Sequence, residues 1–431
     1  MRILLIGAYG FIGSEIARAL MRHGHDVRGF GRDTEYGRRI LPMVEWWQGD
    51  LADHPDAGSW VRPLTGVDAV VNASGLLQDE PGHAVAQVQQ VAIAGLITAS
   101  EWAGMARYVQ ISAANAEPDA ASIFLSSKAE VDRALGETGI PSVILRPGLV
   151  IGRNAYGGSE LIRMAAAMPL LSPLPAESAA IQCVGMGDLT EAVVRALDPA
   201  SPTGSFDLVE RQPRSLANIV ALHREWLGFA PARWTVSMPS WCMRGVAAVA
   251  DGLGRLGWRS PLRTTALVSL AAGVSGNADD AIALIGHPAK PLETVLSAQP
   301  AGKQDRIAAQ LALLMPIMLA SLFLLWMGSA IATFCRFEEA VALLRAGGLQ
   351  DSLARLLAGG GALVDAALAL AMLHRRTVRR ALLGTIAVTV VYLFAATVVR
   401  PDFWLDPLAP LLKVVPAATL SLATYVLLAK R

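Results

Sequence analysis

Gly7-Ala8-Tyr9-Gly10-Phe11-Ile12-Gly13 stands between a short apolar run, Arg2–Ile6, and an amphipathic stretch, Ser14–His23, whose apolar members are Ile16, Ala17, Ala19, Leu20 and Met21. The order reads as strand, glycine turn, helix. Outward from it the alternation repeats. Asp26–Phe30 and Arg107–Ser112 read as further strands, and Trp46–Leu51, Asp68–Gly75 and Ser142–Gly148 each as a strand with its exit turn, separated by helical stretches such as Ala84–Gly104. Strands alternating with helices predict an α/β fold with a doubly wound parallel sheet. The start, Met1–Gly7, reads as a buried strand because glycine interrupts its apolar run too soon for a signal peptide.

Glycines are needed where backbone turns tightly against a pyrophosphate, whose charge then rests on the open amides and positive dipole of a helix start. The Gly-x-x-Gly-x-x-Gly spacing, closed by Gly10-Phe11-Ile12-Gly13, resembles extended and atypical short-chain dehydrogenases/reductases, which have a Rossmann fold and bind NAD(P). The resemblance implies a cofactor site of Gly7, Tyr9, Gly10, Phe11, Ile12 and Gly13, with Asp50 and Leu51 at the adenine. Ala73, Ser74 and Gly75 would form the loop over the dinucleotide. At the end of the second strand, Gly29-Phe30-Gly31-Arg32-Asp33, Arg32 favours NADP as a bidentate partner for the additional phosphate, while Asp33 keeps NAD open.

Active members of this family use a serine after the fifth strand and a Tyr-x-x-x-Lys motif on the next helix. Here Ser112 stands in the serine position and the motif reads Phe124-Leu125-Ser126-Ser127-Lys128. Lysine is kept and tyrosine is lost, and a phenyl ring moves no proton. Ser127-Lys128-Ala129-Glu130 looks like a capping box, which places Lys128 in a first helical turn. Two readings follow: hydride transfer with Ser112, Ser126 or water as proton source, or dinucleotide binding without turnover, as scaffold or redox sensor of a membrane complex.

The chain has 431 residues, 53% of them apolar and 17% charged, with a mean hydropathy of +0.42. That composition excludes a disordered protein. Residues 309–431 hold 80 apolar side chains in 123, and they carry 11 basic and 6 acidic residues against 26 and 30 in residues 1–308. A net charge of +1 gives no field for nucleic acid. Cys183, Cys242 and Cys335 lack the spacing of a disulfide framework or a metal site.

Ile307–Cys335 runs 29 residues without charge, enough to cross a ~30 Å hydrocarbon core. Ser352–Leu373, Ala381–Val399 and Leu408–Leu428 are three further candidate spans. The loop between the second and third carries Arg375, Arg376, Arg379 and Arg380, which predicts a cytoplasmic side shared with the amino-terminal region and with Lys430-Arg431. Arg336 to Arg355 and Arg400–Pro407 would then be outer loops of an inner-membrane protein. Asp365, beside Gly359-Gly360-Gly361, is either a proton or ligand group or a structural hydrogen bond between helices. The Gly361-Ala362-Leu363-Val364-Asp365 segment and Trp404–Lys413 resemble the DoxX-like membrane family, which implies a four-helix transmembrane bundle.

Between the two parts, Gln182–Leu189 resembles the family's strand and Asp-led helix, Gly204–Val209 reads as a strand and Ser215–Gly228 as a capped helix. Beyond Pro231, Trp234, Trp241 and Trp258 among alanines and leucines predict a helical lid, its tryptophans serving either core or membrane face. The expected organisation is an α/β dinucleotide-binding region at 1–230 with a small α+β substrate part, a lid and linker at 231–304, and an all-α bundle at 305–431. The expected substrate is small and lipophilic, a quinone among the candidates.

Overall fold

The computed structural model describes residues 1–75, 87–120, 122–175, 179–258, 260, 262–265, 268, 272–407 and 409–428. Among them the chain forms two compact units, Met1–Asp251 with Ser260–Ala309, and Gly252–Arg259 with Gln310–Arg431.

In the first unit, β1 (Arg2–Ile6), α1 (Gly13–Arg22), β2 (Asp26–Gly31), α2 (Thr34–Ile40), β3 (Glu45–Gln48) and β4 (Ala69–Asn72) open the fold. They are followed by α3 (Ala92–Trp102), β5 (Arg107–Ile111), α4 (Ile123–Gly136) and β6 (Ser142–Pro147). Next come β7 (Leu149–Ile151), α5 (Gly158–Ala167), β8 (Leu171–Pro175), β9 (Cys183–Gly185), α6 (Met186–Ala196) and β10 (Gly204–Leu208). Seven strands of the described residues form one parallel sheet in the order β10-β6-β5-β4-β1-β2-β3. Because side chains alternate along a strand, β1 sends Ile3 and Leu5 to one face and Leu4 and Ile6 to the other. The first pair packs with Ile16 and Leu20 of α1 and Leu189 and Val193 of α6. The second pair packs with Ile93 and Leu96 of α3 and Val131 and Leu135 of α4. Two apolar layers around one sheet make the predicted doubly wound architecture, and the strand order reverses between β1 and β4, where such folds open a crevice at the strand ends.

Beyond the sheet, α7 (Leu216–Trp226) is capped by Ser215, whose hydroxyl accepts from the Asn218 amide, as its sequence predicts. A third apolar cluster joins α5, α7 and the short helix Leu292–Ser297. The lid expectation needs correction here. Trp234 lies in a strand, β11 (Trp234–Met238), paired in parallel with β8, before α8 (Ser240–Arg255) begins. Neither Trp234 nor Trp241 serves a core: 56% and 69% of their surfaces are exposed.

In the second unit, and in the helix that enters it, four helices of the described residues are long and apolar enough to cross a membrane: Lys303–Cys335, Asp351–Leu373, Val378–Val399 and Pro410–Leu427. Leu324, Phe394 and Val426 point outward, as lipid-facing side chains do, while Leu322, Trp326, Ala369 and Leu382 pack inward. The connection expected as a loop, Arg336 to Arg355, is largely the helix Phe337–Ala346, begun by Glu338 and Glu339 where acids favour a helix start. Leu408, Lys430 and Arg431 fall outside the described residues, as do the first three residues of the 84–104 stretch.

Candidate functional site

The turn after β1 is closed by the Gly10 amide donating to the Gly7 carbonyl at 2.9 Å. Gly7 has φ +75°, and a Cβ there would lie 2.8 Å from the Ala73 carbonyl oxygen, so the turns after β1 and β4 touch. At Gly13 a Cβ would come within 2.1 Å of the Gly7 oxygen. Only glycine lets α1 start this close to the turn. The Ser14 and Glu15 amides turn back to Gly10 and Ile12, while those of Phe11, Ile12 and Gly13 have no backbone acceptor among the described residues. Three such amides at a helix start are a donor set for an anion.

Tyr9 and Arg32 meet at the end of β2. The Tyr9 ring stacks on Trp46, with centroids 5.7 Å apart, and its hydroxyl accepts from the Arg32 amide at 3.2 Å. A Cβ at Gly31 would lie 2.4 Å from the Tyr9 ring, so that glycine makes room for the tyrosine. Asp33 caps α2 by accepting from the Tyr36 amide at 2.9 Å. The partly exposed Arg32 guanidinium stands 4.0 Å from Asp50, whose carboxylate caps the short turn Leu51–Asp53. Leu51 is half-buried against the α3 face of the sheet.

Across the crevice, the Asn72 side chain accepts from both the amide and the hydroxyl of Ser74, at 3.0 and 2.6 Å, and donates to Gln110 at 2.9 Å. This pins the Ala73-Ser74-Gly75 loop. Lys128 donates through Nζ to the Ser74 carbonyl at 2.7 Å and to the Ile111 carbonyl at 2.9 Å, and it is fully buried. Burial lowers its pKa to about 8, opposed by the nearby Asp132. The Phe124 ring faces Gly75, where a Cβ would sit 3.8 Å from ring carbon Cε2.

The capping-box expectation changes. Ser127 caps nothing. The helix starts five residues earlier, where Ser122 has extended backbone and accepts from the Leu125 amide, and Ser127 donates to the Phe124 carbonyl inside the second turn. Lys128 therefore lies beyond the first turn. Ser112, at the end of β5, is buried and its hydroxyl donates to Asp132 Oδ2 at 2.5 Å. Burial raises the Asp132 pKa, against the Ser112 bond and Arg146. Asn72, Gln110 and Asp132 were not legible in advance, since no motif marks them. The single clue was the spacing of Asp132, one helical turn after Lys128.

The structure thus brings Gly7, Gly10 and Gly13 together with Ala73, Ser74, Gly75, Phe124 and Lys128 at the strand ends, with Tyr9, Arg32 and Asp50 at the β2 side.

Comparisons with known proteins bear on the family and the fold. Residues 7–164 match the profile of an NAD(P)H-binding family, and residues 321–422 match that of the DoxX-like family. The 3-diazoavenalumate denitrifying reductase of a Streptomyces species is 27% identical over 259 residues, 54% of this chain and 84% of that protein. Eugenol synthase 2 of Clarkia breweri is 29% identical over 150 residues, 32% of this chain and 46% of that one. The Bordetella bronchiseptica enzyme WbmG, solved with NAD, superposes with a TM-score of 0.51 at 18% identity, over 73% of this chain and 94% of WbmG. The Escherichia coli NADPH-dependent quinone oxidoreductase QOR2, solved with NADPH, gives 0.52 at 18% identity, over 69% and 99%. At such identities the likeness is one of fold. The chain joins an NAD(P)-binding domain of Rossmann-like fold to a DoxX-like domain, with four helices long and apolar enough to cross a membrane among the described residues.

Proposed function

We propose that this protein is a multi-pass, membrane-anchored oxidoreductase that uses NADPH to reduce a lipophilic acceptor, such as a quinone or an apolar carbonyl compound, reaching it from the bilayer. The observation that carries the reading is the buried Lys128, held by two backbone carbonyls beside the pinned 73–75 loop and opposite the glycine turn. Burying a cation on a helix is costly without a task for it.

When bound, the dinucleotide supplies a hydride. The residues present fit such a group. The Phe11, Ile12 and Gly13 amides would take its pyrophosphate, Ala73–Gly75 would cover it, and Asp50 and Leu51 would flank the adenine. Lys128 would give its third N–H to the ribose, because two of its three donors are already used. Asp33 is occupied as a helix cap, which leaves Arg32 as the group suited to a 2′-phosphate and favours NADP over NAD. Phe124 stands beside Gly75 and moves no proton, so the proton for a reduced acceptor comes from Ser112, Ser126 or solvent. In this reading residues 1–230 bind the dinucleotide, 231–304 carry the substrate-side cover and linker, and 305–431 hold the domain at the inner membrane with its Arg375–Arg380 side cytoplasmic.

Phe124 also favours a second reading, an NADP(H)-binding scaffold or redox sensor of a membrane complex. Full-length protein in detergent or nanodiscs, incubated with NADPH and a panel of lipophilic quinones and carbonyls, separates the two: acceptor-dependent NADPH oxidation supports the enzyme, and tight binding without oxidation across the panel supports the scaffold.

A further inference from the structure

Helix α8 (Ser240–Arg255), whose last turn lies in the 252–259 segment, carries an exposed apolar face. Trp241, Gly245, Ala248, Val249 and Gly252 are all exposed and fall on one side of a 3.6-residue period, while Ala247 and Ala250 are buried on the other. Arg244 and Arg255, both exposed, border the apolar face. An exposed tryptophan in a bed of small apolar residues with arginines at its flank is the pattern of a helix lying in a membrane interface.

A second observation ties the end of this helix to the apolar helices. The residues that continue α8 are tied to the apolar helices: the Trp258 indole donates to the carbonyl of Leu373, the last residue of the helix Asp351–Leu373, at 2.6 Å. The Arg375 amide donates to the Leu256 carbonyl at 3.0 Å, and the Arg375 guanidinium stands 5.5 Å from the centre of the Trp258 ring. Gly252–Arg259 accordingly belongs to the compact unit of the spans. Leu373 ends its helix where the arginine-rich turn begins, which is a hydrocarbon-to-water boundary. The carboxyl end of α8 is thereby fixed at that boundary by its own chain.

We propose that α8 is an interfacial helix that beds Trp241 and Val249 in the headgroup layer of the membrane crossed by the four apolar helices, with Arg244 and Arg255 on anionic lipid phosphates. The partner is the lipid surface, and the proposal is independent of whether a dinucleotide binds.

The test uses the full chain with Cys242→Ser and Cys335→Ser, labelled with bimane at Val249→Cys, or in a second variant at Ala248→Cys, in nanodiscs of phosphatidylcholine and phosphatidylglycerol. Brominated lipid chains should quench either label by about half or more, and aqueous iodide should leave it bright, as expected for a side chain set ~5–10 Å into the interface. A label at Glu137→Cys, on the exposed end of α4, should show the reverse. Arg244→Glu with Arg255→Glu should weaken the lipid quenching and its dependence on phosphatidylglycerol. Quenching by iodide without response to bromine at both positions would overturn the proposal, and so would labels blind to both quenchers, which would mean that protein covers the face.

Discussion

Lys128 Nζ lies 2.7 Å from the carbonyl oxygen of Ser74, so the central helix of the site is fastened to the loop after β4 by one side chain. Its second acceptor is the Ile111 carbonyl, and both bonds use backbone atoms that cannot be titrated. With the pKa lowered to about 8, the ammonium loses a proton as pH rises through that value. The neutral amine keeps two N–H groups, both engaged, and the third donor disappears. NADPH affinity should therefore be full below about pH 8 and fall above it. One charge-assisted hydrogen bond is worth roughly 1.5–3 kcal/mol, so the loss should approach tenfold or more. Titrations followed by nicotinamide fluorescence on either side of that pH measure it, and Lys128→Met should give weak binding that no longer depends on pH.

Phe124→Tyr introduces a hydroxyl one turn before Lys128 on the face that looks toward Gly75. A positioned acid or base contributes roughly 10²–10⁴ in rate. The variant should raise acceptor reduction by that order while leaving NADPH affinity within a few-fold. A variant that binds as before and reacts no faster indicates that proton transfer is not what limits turnover.

Arg32→Glu places an acid where the additional phosphate of NADP would sit. NADPH binding should weaken by about ten- to a hundredfold, the cost of a lost charge-assisted bond, while NADH binding holds or improves. Equal effects on both dinucleotides would remove Arg32 from the specificity site.

In the apolar bundle, Asp365 accepts from Ser329 at 2.7 Å and from Tyr392 at 2.9 Å, which ties three spans together. A Cβ at Gly361 would lie 3.0 Å from the Tyr392 hydroxyl, so the glycine gives that hydroxyl its space. Asp365→Ala removes the acceptor of the Ser329 hydroxyl and leaves the Tyr392 hydroxyl only the Gly361 carbonyl at 3.2 Å, and should cost about 1–3 kcal/mol. Asp365→Asn keeps acceptors and should cost less, and Gly361→Ala should fall between them. Thermal unfolding in one detergent ranks the three, and an Asp365→Ala melting as the native chain would show that the junction contributes nothing to stability.

The parts that sequence made legible were those with local causes. The glycine turn, the apolar alternation of β1 and β4 and the uncharged run Ile307–Cys335 each follow from neighbours in the chain. At the start of α4 two serines compete for the cap. Ser127 has the glutamate three residues on that a capping box asks for, yet Ser122 has the extended backbone a cap needs while Ser127 lies inside the helix. β11 has no local signature because its strand character depends on β8, about sixty residues earlier, as partner. Asp132 and Asn72 matter through contacts with Ser112 and Gln110 that only the folded sheet creates.

The central claim is that the Gly7–Gly13 turn and the Ala73–Gly75 loop hold a nicotinamide dinucleotide in a membrane-bound chain. The direct measurement is a titration of full-length protein in nanodiscs with NADPH and NADH, followed by nicotinamide fluorescence. Saturable binding at one site per chain, tighter for NADPH and reversed toward NADH by Arg32→Glu, is the predicted result. A folded protein that binds neither dinucleotide would contradict the account.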